Sequence, residues 1–187
     1  MKHIIYKLYS DFEKEEKWLN EMSAKGMALI DYSWCKYVFT ETQNNEYTYR
    51  IELLENLPSH EKSIEYINFL EESGVEYVAK YVRWVYFRKK SSEGAFDIYS
   101  DIESKIKHYK RINVFWSTFM GIEFMAGLIN IVIGIVNLNI GNRLGDFNMV
   151  NIIIGAPLVL FGLVFLRLGS SIRKTIKNLQ QEKMIRE

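Results

Sequence analysis

The chain has 187 residues with 24 Lys+Arg against 23 Asp+Glu, a net charge of +1 and a sequence pI near 7.8. Near-neutral charge argues against a nucleic-acid protein, because phosphate binding needs a concentrated basic face. One cysteine, Cys35, excludes an intrachain disulfide and any metal site built on cysteine pairs, and His3, His60 and His108 show no ligand spacing.

The elements follow in chain order. The opening Met-Lys-His-Ile-Ile-Tyr-Lys is too short an apolar run for a signal peptide, so the domain is expected to stay on the side where it is made. His3 to Tyr9 reads as a strand. Ser10 and Asp11 offer an N-cap to a helix over 11–25, with Phe12, Trp18, Leu19 and Met22 on its apolar stripe and Gly26 as its C′ residue. Asp11, Glu13, Glu15 and Glu16 sit where the helix dipole favours acids, which accounts for them without acid–base chemistry. Met27 to Thr40 reads as one long strand, with Cys35 in its middle as a small buried hydrophobe. A turn follows over 41–46. Tyr47 to Leu54 alternates, with Tyr47, Tyr49, Ile51 and Leu53 on one face. After Pro58, Ser59 caps a helix to Ser73, ended by Gly74. Val75–Tyr81 and Val82–Lys89 are two more strands, and 91–94 is a loop.

This order predicts an α+β domain over 1–100 on the ferredoxin-like plan β-α-β-β-α-β with one extra strand, both helices on one sheet face. The other face carries aromatics, Tyr32 and Trp34 on one strand and Trp84 and Tyr86 on another. Such a face is a candidate dimer or ligand-binding surface, unless the protein's own loops and the connector helix cover it. Arg83-Trp84-Val85-Tyr86-Phe87-Arg88-Lys89-Lys90 interleaves basic and aromatic residues but lacks the glycines of an RNA-binding sheet. No Gly-rich phosphate loop, HExxH or CxxC is present, so the expectation is a protein that is not an enzyme and carries no cofactor.

The last third differs in kind. Residues 112–166 carry only Glu123, Arg143 and Asp146 as charges. A basic connector helix over 101–111 leads into transmembrane helices over 112–138 and 149–168, joined by a short external loop over 139–148 and followed by a basic tail over 169–187. Lys105, Lys107, Lys110 and Arg111 precede the first span, and Arg167, Arg173, Lys174 and Lys177 come after the second apolar run, which ends at Leu166. Both termini are therefore expected in the cytoplasm, with the basic segments beside anionic lipid headgroups. Gly127 opposite Gly162, and Gly134 opposite Gly155, form a candidate helix-packing seam in one register. That register sets Glu123 level with residue 166, beside Arg167. Glu123 then either pairs with Arg167, snorkels to the interface, or serves a transport or partner contact.

The run from Asp11 to Gly26, DFEKEEKWLNEMSAKG, with Tyr49-Arg50-Ile51, Tyr66 to Gly74 (YINFLEESG) and Ile98-Tyr99-Ser100-Asp101, resembles a bacterial family known as domain of unknown function 2812. The likeness extends over residues 8–110. It implies a membrane-anchored protein, often encoded beside PadR-type transcription regulators, and implies no catalytic residues. Two functions are expected from all this: a membrane-anchored module that senses or sequesters a protein partner or forms a homo-oligomer, or an accessory subunit of a transporter or other integral complex.

Overall fold

The computed structural model of the chain describes residues 1–139 and 145–186, and the side chains of all these except 139 and 145–148. The order is β1 (Lys2–Tyr6), α1 (Phe12–Ala24), β2 (Met27–Ser33), β3 (Lys36–Glu41), β4 (Tyr47–Leu53), α2 (Glu61–Glu72), β5 (Glu76–Tyr81), β6 (Trp84–Lys90), α3 (Ile102–Asn139) and α4 (Gly145–Arg186). Residues 1–104 and 105–187 form two compact units. Residues 140–144 of the expected external loop, Gly141 included, lie outside the described residues.

The first unit is α+β. In place of the single sheet of a ferredoxin-like domain, its strands form two antiparallel three-stranded sheets, ordered β1-β3-β2 and β4-β6-β5. Each sheet is built from one β-α-β-β run. Gly26 and Gly74, both with positive φ, stand 48 positions apart, and so do the two-residue turns at 34–35 and 82–83. Both second strands also break register near their middle, between Leu29 and Asp31 and between Tyr77 and Ala79. The unit is thus a tandem pair of equivalent halves. They meet where β2 runs beside β5, with Arg88 donating to the Leu29 carbonyl at 3.0 Å.

The predicted strand over 27–40 is a hairpin. Trp34 and Cys35 take φ of 31° and 60°, so the chain reverses there with neither Gly nor Asn at the turn. Cys35 is therefore a half-buried turn residue, and Trp34 is 72% exposed at the tip. Asp11 caps α1, accepting from the Glu13 and Lys14 amides, as its position predicts. At α2 the cap is His60, whose Nδ1 accepts from the Lys62 amide at 3.3 Å, one residue beyond Ser59. Gly26 is required twice: its φ is +76°, and a Cβ there would lie 2.8 Å from the Thr42 carbonyl oxygen.

The helices pack on opposite faces of β6, not on one. Tyr86 joins Leu19, Met22, Leu29, Tyr37, Phe39, Tyr49 and Ile51 in a core under α1. Its neighbours Val85 and Phe87 point the other way, into a second core with Ile67, Leu70, Leu54 and Phe96 under α2. The Trp84 and Tyr86 part of the second aromatic face is therefore covered by α1, while Trp34 stays exposed.

One consequence is an unusual sheet edge. β4 ends its sheet, and its outer backbone is met by side chains of α1. Glu16 Oε2 accepts from the Ile51 amide at 3.0 Å, Asn20 bonds both the amide (2.8 Å) and the carbonyl (3.2 Å) of Tyr49, and Ser23 donates to the Tyr47 carbonyl at 2.6 Å. The spacing 16, 20, 23 is one helix face, so a helical stripe replaces a partner strand.

In the second unit α3 and α4 are each long and apolar enough to cross a membrane. They pack antiparallel through small residues. A Cβ on Gly127 would lie 2.9 Å from the Gly155 carbonyl oxygen and 2.8 Å from the Val159 amide, so the backbones are in contact there. Gly162 faces Phe124, and Trp116 stacks on Phe165 with ring centroids 5.6 Å apart. The register thus differs from the expected one: Gly127 meets Gly155, not Gly162. Side-chain bulk sets this, since Phe124 and Phe165 fill the positions flanking the glycines. Gly134 is buried.

Candidate functional site

Glu15 lies on the inward face of α1, four residues after its cap, in the stripe of Phe12, Leu19 and Met22. It is only 8% exposed. Two phenols end on it. Tyr37 of β3 donates to Oε1 at 2.7 Å, and Tyr86 of β6 donates to the same oxygen at 2.6 Å. One tyrosine comes from each half of the domain, so the carboxyl group sits at their junction. Among the described residues Oε2 takes part in no hydrogen bond or ion pair.

Aromatic rings surround the group. Tyr32 lies with its centroid 4.7 Å from both Tyr37 and Tyr86. Tyr81 meets Tyr32 edge-on at 6.1 Å, and Trp34 meets Tyr81 at 5.7 Å. Trp18 adds an edge-to-face contact with Tyr37 at 4.8 Å. A continuous series of rings therefore runs from the buried carboxyl group through half-buried Tyr32 and Tyr81 to exposed Trp34.

Electrostatics follow from burial. Desolvation raises the Glu15 pKa above the ordinary carboxylate range, and the Tyr86 and Tyr37 hydrogen bonds partly oppose it. Desolvation, with the Glu15 charge beside them, pushes both phenols far above the ordinary tyrosine value. They stay protonated and act as donors. The nearby cations have other partners: Arg88 pairs with Glu76 and lies 4.0 Å over the Tyr47 ring, Arg50 pairs with Glu16, and Lys7 lies 4.8 Å over the Tyr9 and Trp18 rings. No group of three potential metal ligands occurs among the described residues.

Of the sheet-face residues picked out by sequence, Tyr32 and Tyr86 meet directly and Trp34 joins them through Tyr81. Trp84 shares the Tyr86 face but packs on Phe12 at 5.8 Å. Glu15, Tyr37 and Tyr81 were not expected here. The signal for Glu15 was its place in the stripe 12, 15, 19, 22, where an acid is out of pattern.

The membrane-type helices hold the other candidates. Glu123 is half-buried and Arg167 exposed, and no ion pair joins them among the described residues. In the observed register Glu123 lies near the level of Gly162. Arg167 is five residues, about 7.5 Å, farther along α4. Pairing with Arg167, one of the three alternatives for Glu123, is therefore not seen among the described residues, where the glycine contact slides the helices past it.

No curated protein and no solved structure matches the chain. The pattern of one family covers residues 11–120, more than half of the sequence. On that match, the chain belongs to the family of proteins of unknown function designated DUF2812.

Proposed function

We propose that residues 1–104 form a binding module held at the cytoplasmic face of a cell membrane by a two-helix transmembrane hairpin. The observation that carries the reading is the carboxyl–tyrosine centre at the junction of the two halves, connected by rings to exposed Trp34. A group placed so that both halves contact it suits a sensor, because occupancy of one point bears on both. The anchor is supported by the length and apolar surface of α3 and α4 and by the lysines and arginines flanking them. The downstream partner in this reading is a protein such as the PadR-type regulator that the family resemblance implies.

Two measurements test it. A reporter fused after Glu187 is expected to be active only as a cytoplasmic fusion; an external C-terminus overturns the two-span anchor. The full chain in detergent is expected to gain thermal stability from some members of a chemically diverse set of small aromatic compounds, and to lose that gain in Tyr32→Ala. A set with no stabilising member overturns the binding module.

Glu123 favours a second reading, an accessory subunit of an integral complex. Its carboxyl group lies inside an apolar helix with no ion pair among the described residues, a costly placement that a polar partner would relieve. Here Glu123→Gln leaves yield intact and abolishes co-purification of an integral partner.

A further inference from the structure

We propose that the Glu15 centre binds an organic monocation with apolar substituents, such as a quaternary ammonium or phosphonium, with Glu15 as its counter-ion. The proposal rests on the binding-module reading and names the ligand class of that same site.

Three observations converge on a cation. The carboxyl group is buried, yet both phenol protons converge on Oε1. Oε2 has no hydrogen bond or ion pair among the described residues, so one oxygen is left to meet positive charge. The rings of Tyr32, Tyr37, Tyr86 and Trp18 stand beside it, and aromatic faces attract cations through their quadrupole. The protein's own cations are engaged elsewhere, with Arg88 on Glu76, Arg50 on Glu16 and Lys7 over Tyr9 and Trp18. An uncompensated buried carboxylate is costly, and an entering cation relieves that cost.

The kind of cation also follows. One carboxylate without other ligating groups is a poor site for a metal ion, which needs several oxygen, nitrogen or sulfur ligands. Stacked and edge-on rings suit apolar substituents around a diffuse charge. The route is marked by Trp34, Tyr81 and Tyr32. Tyr32 is half-buried, and its hydroxyl accepts from the Cys35 amide at 3.4 Å. It stands between the Trp34–Tyr81 pair and the carboxyl group, and the ligand takes up contact with Tyr37 and Tyr86 by moving it.

The test uses the full chain in a neutral detergent with two ions of one shape and opposite charge, tetraphenylphosphonium and tetraphenylborate. The cation is expected to quench tryptophan fluorescence saturably at one per chain and to raise the melting temperature; the anion does neither. Glu15→Gln keeps an oxygen for the two phenols. It is expected to weaken cation binding at least tenfold while melting no lower than wild type. Should that variant fold poorly, Tyr32→Leu, which leaves the carboxyl group in place, is expected to weaken binding as well. Equal binding of the two ions, or wild-type affinity in Glu15→Gln, overturns the proposal; a carboxyl group that simply stays protonated gives that result. Neutral aromatics that bind wild type and Glu15→Gln alike leave the binding module standing and remove its cation specificity. No binding of any compound removes both.

Discussion

Glu15 couples stability to pH with a definite sign. Burial raises its folded pKa above the unfolded value, so the fold favours the neutral carboxyl group. Its contribution is fully present below the ordinary glutamate value of about 4.3 and is lost as pH rises through the raised value. Glu16 is raised for the same first reason, but it is common to wild type and variant and cancels in their difference. Glu15→Gln is therefore expected to gain stability over wild type as pH rises from about 4 toward neutrality, measured by denaturant unfolding across that range. A difference that is flat or falls with pH contradicts the assignment. Trp18 is a second residue-scale case. Its ring is half-buried between Lys7 and the Tyr37 and Phe39 edges, so Trp18→Ala is expected to cost about 2–3 kcal/mol, below the ~3–5 of a fully buried ring. At this scale the sequence disclosed the cap at Asp11 and the stop at Gly26, whose causes lie within a few residues. It concealed the role of Glu15, because the tyrosines that meet it are 22 and 71 positions away.

Among the elements, the fold depends on α1 doing a strand's work. Asn20→Ala leaves the Tyr49 amide and carbonyl without their partner, and is expected to destabilise the first unit by about 1–3 kcal/mol in thermal or denaturant unfolding. An effect under ~0.5 kcal/mol would mean water replaces the side chain there. In the second unit Gly127→Leu drives a side chain into the Gly155 backbone and is expected to separate α3 from α4, read as lost crosslinking between cysteines introduced at 124 and 162 in a Cys35→Ser background. Persistent crosslinking would show that another contact holds the pair. Element types were largely legible: α1, β4, α2 and both apolar helices follow from periodicity and length. The Trp34–Cys35 reversal was not, since it lacks the Gly or Asn that marks such turns, and its backbone is held instead by the β2–β3 ladder around it. The glycine spacing identified the seam residues but not their register, which depends on how Phe124 and Phe165 fill the space beside them.

In the whole first unit, the tandem architecture was hidden because the halves share backbone landmarks rather than side chains. Where the first half buries Glu15, the position 48 residues later holds buried Ser63. The ferredoxin-like expectation placed the same strands in one sheet because element order alone does not say where a sheet ends. What the two halves do share is one atom. Oε1 of Glu15 accepts a hydrogen bond from β3 on one side and from β6 on the other, so it works as a pin through a two-leaf joint. Pulling the pin is expected to loosen both leaves at once. In Glu15→Ala, amide hydrogen exchange should quicken together in Lys36–Glu41 and Trp84–Lys90, while α2 (Glu61–Glu72) keeps its protection. Loosening of one strand alone would make Glu15 a local contact. Coupled loosening would make the domain a lever whose two arms are set by what its single carboxyl oxygen can hold.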